Sequence, residues 1–244
     1  MKSAYELQVA KELKAWQKKM SRKPSAINRL SKKVQVKLNS YIPARIHRAV
    51  TVTIKHMVKA VLFGATYTTR NTPQYTTLEA REAAVKEKIE FYKKTAATEG
   101  GITGAGGFVM GLVDFPVLLG IKMKLLFEIA SAYGFSIKDY KERLFILHIF
   151  QLAFSSQQRR REVYAQIENW EEKSKLIPDD IHQFDWQSFQ QEYRDYIDIV
   201  KLAQLLPGIG AVVGVIVNYR LIRQLGDTAM NAYRMRLYES QRPV

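Results

Sequence analysis

Apolar residues recur along this chain at intervals of three and four, the period of a helix with one buried face. Tyr5, Val9, Leu13, Trp16 and Met20 draw the first stripe, and Pro24 closes it. Ile27, Leu30, Val34, Leu38 and Ile42 draw a second that ends at Pro43. Ile46, Val50, Ile54, Met57 and Val61 draw a third that ends at Gly64. In all three, Lys and Arg fill the opposite face. Residues 64–77 are expected to form a loop, and Thr76 with Glu79 predicts a capping box for the next helix. That helix carries Leu78, Val85, Ile89 and Tyr92 and is expected to end near Gly100-Gly101.

Beyond it, Gly134 has the place of a glycine terminating a helix. Ser136 with Asp139 predicts a new start, followed by Tyr140, Leu144, Leu147, Phe150 and Phe154. A more polar helix runs from Arg159-Arg160-Arg161 through Trp170 and breaks at Pro178-Asp179-Asp180. Phe189, Tyr193, Ile197 and Val200 stripe the next. Ile222, Leu225, Ala229 and Tyr233 stripe the last, with several arginines opposite. No run alternates with period two for long enough to make a strand. The expected fold is all-α: a multi-helix bundle with amphipathic basic N-terminal helices and two glycine-rich apolar central helices.

Those two segments, 101–121 and 202–217, depart from the amphipathic pattern. The first is apolar on all faces apart from Thr103 and Asp114, and the second is interrupted by Pro207-Gly208. Each contains glycines four apart, Gly107 with Gly111 and Gly210 with Gly214, a spacing that lets another helix approach closely. Glycine costs a helix about 1 kcal/mol relative to alanine, so tight packing or membrane association must offset this density. Two readings follow: helices buried on every face of a bundle, or shallow membrane-inserting helices. A full crossing is disfavoured by Asp114 and Pro116. A phosphate loop fails because the third glycine of G-x-G-x-x-G, counted from Gly104, falls on Val109. Asp114 before Phe115-Pro116 reads as a helix N-cap, with a buried pairing to Lys122 or Arg220 as the alternative.

Charge narrows the partner. The net charge is +15 over 244 residues, and residues 1–70 hold 16 Lys and Arg against Glu6 and Glu12. The remainder is nearly neutral, so residues 1–70 form a basic region and 71–244 a helical core within one expected domain, 1–244. Such asymmetry implies an anionic partner, phospholipid headgroups or, as the weaker alternative, nucleic acid. The anionic-surface candidates are Lys18, Lys19, Arg22, Lys23, Lys32, Lys33, Lys37, Arg45 and Arg48. The N-terminus lacks the pattern of a secretory signal, so the protein is expected in the cytoplasm, peripheral to the inner face of the cell membrane.

Reaction chemistry is sparsely represented. The chain has no Cys and four His, which rules out thiol catalysis and Cys-ligated metals. His47 and His56 sit among cations, His148 reads as a satisfied semi-buried histidine, and His182 falls in a loop. Ser155-Ser156 near Arg159–Arg161 offers an anion site but no base for a nucleophile. No cofactor, metal or catalytic residue is expected, and the reading leans away from an enzyme. A hydrolase with a site assembled between helices is kept as a further alternative.

Thr103-Gly104-Ala105-Gly106-Gly107, leading to Gly111-Leu112-Val113-Asp114-Phe115-Pro116, resembles the central signature of the bacterial EcsC protein family. Leu206-Pro207-Gly208-Ile209-Gly210-Ala211, with Gly214 and Asn218-Tyr219, resembles its C-terminal signature. The resemblance covers most of the chain. It implies a protein of no settled biochemical activity whose family namesake is encoded beside the ATPase and membrane subunits of an ABC transporter associated with protein secretion. Combined with the residue-level reading, the expected function is a non-enzymatic accessory with those subunits as possible partners. The family-typical positions it transfers are Gly104, Gly106, Gly107, Gly111, Asp114, Pro116, Pro207, Gly208, Gly210, Gly214 and Asn218, as membrane or helix-packing candidates.

Overall fold

A computed structural model describes residues 3–23, 44–63, 75–104, 107–156, 159–197 and 211–239, with backbone alone for 44–47, 96–104, 107–114, 190, 194–196 and 211–217. Among these are nine α-helices: α1 Ala4–Met20, α2 Ala44–Phe63, α3 Leu78–Gly104, α4 Gly107–Ala132, α5 Tyr140–Phe154, α6 Arg160–Ile167, α7 Trp170–Lys175, α8 Trp186–Tyr196 and α9 Ala211–Glu239. The described residues hold no strand, only an isolated antiparallel bridge between Ser155 and Ile197. The all-α expectation stands. The proposed helix from Ile27 to Ile42 lies outside the described residues.

Local chemistry sets the helix ends. Ser3 and Glu6 form a reciprocal capping box at α1: the Glu6 N–H donates to Ser3 Oγ at 3.1 Å and the Ser3 N–H to Glu6 Oε2 at 2.8 Å. At α3 the cap is Thr77, whose hydroxyl accepts from the Ala80 N–H at 3.1 Å, one residue later than the expected Thr76. Asp139 caps α5 through the Lys141 N–H at 2.9 Å. α4 ends as the glycine predicts. Gly134 has φ +90°, the Phe135 N–H reaches the Ala130 carbonyl at 3.0 Å, and the Gly134 N–H reaches Ser131 at 2.9 Å, a Schellman closure.

Several boundaries differ from expectation. α3 does not stop at Gly100-Gly101 but continues to Gly104, and α4 begins at Gly107, so the first glycine segment belongs to two helices. Asp114 therefore lies inside α4 and not at its start, with Pro116 also within that helix. A carboxylate a turn or more inside a helix has no free N–H groups to cap. The Arg159–Trp170 helix is broken at Asn169, which takes the left-handed conformation at φ 54°. α8 stops at Tyr196, because Ile197 turns into the bridge with Ser155.

The core forms one connected cluster from Leu13 in α1 to Met235 in α9. The predicted stripes are its substance: Val50, Ile54, Met57 and Val61 of α2, Val85, Ile89 and Tyr92 of α3, and Ile222, Leu225, Ala229 and Tyr233 of α9 are all buried. α5 is enclosed on nearly every side, with Leu144, Phe145, Ile146, Leu147, Ile149 and Phe150 buried. α9 lies along α3 and also touches α1, α4 and α5. Where α9 and α3 meet, Gly226 faces Ile89 so closely that a Cβ there would stand 2.6 Å from the isoleucine side chain.

The described part of the first glycine segment is one-sided. Phe115, Leu118 and Leu119 are buried in the core, whereas Pro116 and Val117 are exposed. Gly120 has open space around it. No helix among the described residues is long and apolar enough to cross a membrane.

Candidate functional site

The sequence candidates distribute themselves unevenly. Lys18, Lys19, Arg22, Lys23 and Arg48 are exposed; Arg45 is in α2 with its side chain outside the described set, as is Asp114 in α4. Gly104 ends α3, Gly107 starts α4, Gly111 and Gly214 lie within α4 and α9. Gly106, Lys32, Lys33, Lys37, Pro207, Gly208 and Gly210 lie outside the described residues. Asn218 is the singular one. It is 1% exposed, and neither end of its amide has a hydrogen-bond partner among the described residues.

On α1 the cations fall into register. Lys11, Lys14 and Lys18 recur at three and four, and all are exposed, with Leu7 one turn earlier at 53% exposure. Val9, Leu13 and Met20 are buried on the opposite face. None of the three lysines has an ion-pair partner among the described residues, and α1 thus presents a cationic stripe capped by one apolar side chain.

The last helix carries cations of a different kind. Sequence reasoning sets its arginines opposite the buried face, and Arg220 and Arg223 are indeed exposed. Arg234 and Arg236 correct that expectation: they are 4% and 6% exposed and belong to two interior networks. Arg234 grips Glu82 with two parallel hydrogen bonds, at 2.7 and 2.5 Å, and reaches Glu12 at 3.1 Å. Glu82 also accepts from Tyr5 at 2.7 Å and Tyr133 at 3.1 Å, which fills its lone pairs. Burial lowers the Arg234 pKa, but the hydrogen bonds and charge of Glu82 outweigh it and hold the group above its ordinary value. Arg236 pairs with Glu142 at 2.5 Å and Glu171 at 2.8 Å, while its guanidinium lies over Phe135 and Phe145, 3.9 and 4.5 Å from the ring centroids. The Tyr233 hydroxyl donates to Glu142 at 2.6 Å. Glu82, with two hydrogen bonds on each oxygen, has its acceptor positions filled, whereas Glu142 accepts two. Periodicity alone put Arg234 and Arg236 outside; the clue to their burial was the acids Glu82 and Glu142 on otherwise apolar faces.

Lys122 and His148 sit in the interior without an opposite charge among the described residues. Lys122 is 0% exposed, its ammonium donates to the Leu118 carbonyl at 3.3 Å, and burial pulls its pKa down to about 7. Arg220, the other partner considered for Asp114, is exposed. His148 meets Gln151 at 3.3 Å and the edges of Trp170 and Phe189, and burial lowers its pKa to about 4. A neutral imidazole held among rings matches the satisfied histidine expected from Leu147-His148-Ile149. His182 lies in the short 3-10 turn Ile181–Gln183.

A cavity of about 1140 Å3 opens where α1, α3, α6 and α9 converge near the end of α5. Seven cationic side chains and three carboxylates line it, and Glu82, outside the lining, neutralises Arg234, which leaves a surplus of three positive charges. Lys93, Arg223 and Arg234 have carboxylate partners at 2.5, 3.8 and 2.5 Å. Lys86 leans on Tyr5, 3.3 Å from its hydroxyl. Lys19, Arg160 and Arg220 have no hydrogen bond or ion pair through their side chains among the described residues. Apolar floor comes from Met20, Ile89, Leu152 and Met230, and aromatic walls from Trp16 and Tyr219. Among the described residues no group of three His, Asp or Glu side chains is placed to hold a metal ion.

A compact all-helical protein with a cationic stripe on its first helix, internally neutralised arginines and a basic cavity is the class these features define. The chain belongs to the EcsC protein family, which it matches over residues 7–238. It is 49% identical to Protein EcsC of Bacillus subtilis (strain 168) over 224 residues, 91% of this chain and 92% of that protein. It is 31% identical over 143 residues to the uncharacterized protein YdbA of the same organism, 58% of this chain and 52% of that protein. No solved structure matches it.

Proposed function

We propose that this protein is a non-enzymatic accessory factor that docks on an anionic membrane surface from the cytoplasmic side, working beside an ABC transporter of a secretion system. The observation carrying the membrane half is the α1 stripe of Lys11, Lys14 and Lys18, directly opposite the residues that anchor α1 to the body. Lysines near an anionic leaflet contribute about 1 kcal/mol each. Leu7 at the end of the stripe supports lipid over nucleic acid, because an apolar side chain gains from an acyl boundary and nothing from a phosphate backbone. Peripheral attachment is the reading that accords with the described helices, none of which is long and apolar enough to cross a membrane. The transporter link rests on family membership.

Flotation of the full chain with vesicles tests it. Binding is expected with about 30% phosphatidylglycerol, lost on pure phosphatidylcholine, and weakened as salt rises from about 0.1 to 0.5 M. Replacing Lys11, Lys14 and Lys18 together by Gln should weaken partitioning roughly a hundredfold. Binding that ignores lipid charge, salt and the triple substitution would sink the reading.

A further inference from the structure

The basic cavity calls for a ligand of its own, distinct from a flat membrane surface. Its lining brings together cations from four helices that are distant in sequence: Lys19 of α1, Lys93 of α3, Arg160 of α6 and Arg220 of α9. Like charges gathered in one concave space repel, and their field is focused by low-dielectric walls, so the arrangement is costly unless an anion occupies it. Some of this cost is offset internally, since Glu90 holds Lys93 and Asp227 lies 3.8 Å from Arg223. Arg160 is different. It is half-buried, burial lowers its pKa with no opposing partner, and its guanidinium stays unpaired among the described residues. A desolvated guanidinium without a carboxylate is uncommon in a finished interior, because the charge loses hydration and gains nothing.

We infer that this cavity binds a phosphomonoester or diphosphate group, with Arg160 and Arg220 as its principal contacts and Lys19 supplying a third charge. The planar fork of arginine suits the oxygens of a phosphate, and three cations without an ion pair among the described residues, Lys19, Arg160 and Arg220, suit a group with at least two negative charges. The volume accommodates a ligand larger than phosphate itself. Met20 and Met230 give its non-phosphate portion an apolar surface, and Tyr219, already beneath the Lys93 ammonium at 4.1 Å, gives it an aromatic one. A soluble diphosphate and the headgroup of a phosphomonoester lipid present the same chemistry to these residues.

Isothermal titration of the full chain with inorganic pyrophosphate, and separately with monomeric dihexanoyl phosphatidic acid, tests the assignment. Saturable one-to-one binding of at least one probe is expected. Tighter binding of the lipid would identify a headgroup as the source, and tighter binding of pyrophosphate a soluble ligand. Arg160→Gln should weaken the bound probe about tenfold, the loss expected for a charge-assisted hydrogen bond. It removes no partner's contact, so its thermal midpoint should equal or exceed that of the parent. Arg220→Gln, at an exposed position, should weaken binding as well and guards against misfolding of the first variant. The triple Gln variant of Lys11, Lys14 and Lys18 should bind within about twofold of the parent, which separates this site from the membrane stripe. Absence of saturable binding by both probes, or unaltered affinity in Arg160→Gln and Arg220→Gln, overturns the assignment.

Discussion

Lys122 places an ammonium in the interior with one backbone carbonyl as its hydrogen-bond partner among the described residues. The unfolded chain protonates this group near 10.5, whereas burial brings the folded value to about 7. Between those values the unfolded state binds more protons, so the penalty grows as pH falls and levels off below about 7. Lys122→Met keeps the length and removes the charge. It is expected to raise stability at neutral pH by about 1–4 kcal/mol and to flatten the pH dependence between about 7 and 10.5, read by denaturant unfolding. His148 works in the same direction at lower pH. Its pKa falls from 6.5 to about 4, so the stability present above 6.5 drains away as pH falls toward 4. His148→Phe should remove that part of the acid sensitivity, no more than about 3 kcal/mol. Glu82, unlike Lys122, is a buried charge with an opposite charge beside it. Glu82→Gln leaves Arg234 with Glu12 alone, a half-exposed carboxylate, and should cost about 3 kcal/mol.

Among the elements, the α3–α9 contact gives a direct test of packing. Gly226→Ala drives a methyl to 2.6 Å from Ile89, so the isoleucine must change rotamer or the helices must separate. A loss of about 1–3 kcal/mol is expected, partly restored when Ile89→Val is added, and thermal melts of the two variants check it. Gly226 was not legible as a packing glycine. It lies outside both apolar segments and has no glycine four residues away, so neither spacing nor hydropathy singles it out. The helical stripes were legible because each element packs one face on a common core, as with Ile222, Leu225, Ala229 and Tyr233. Boundaries were less so where tertiary context overrides local signals: Gly100-Gly101 sits within α3, and Asp114-Phe115-Pro116 within α4, despite residues that favour termination and capping. The cations of α1 were readable from composition. The cavity was not, since its members come from four helices that no periodicity links; the anion site read at Ser155-Ser156 near Arg159–Arg161 shares only Arg160 with it.

At the scale of the whole molecule, α1 joins the stripe of Lys11, Lys14 and Lys18 to the body, and its attachment differs in kind from that of the other helices. It buries only Val9, Leu13 and Met20, with Trp16 edge-on to Tyr164. The rest of its docking is polar: Tyr5 to Glu82, Arg234 to Glu12 at 3.1 Å, and the Tyr238 hydroxyl to the Glu6 carbonyl at 2.9 Å. An element held by little apolar area opens at less free energy than the global transition, whereas α5, enclosed on nearly all sides, opens only with it. Hydrogen exchange should therefore release the amides of α1 before those of α5 and of α9 between Leu221 and Met235. Tyr5→Phe removes one donor to Glu82 while the arginine and Tyr133 remain, so it should speed exchange in α1 by about fivefold with little change in α5. Exchange of α1 in step with α5, in parent and variant alike, would mean that the first helix is an integral part of the cooperative core. In that case the lysines of the α1 stripe and the cations lining the cavity would act as a single rigid surface.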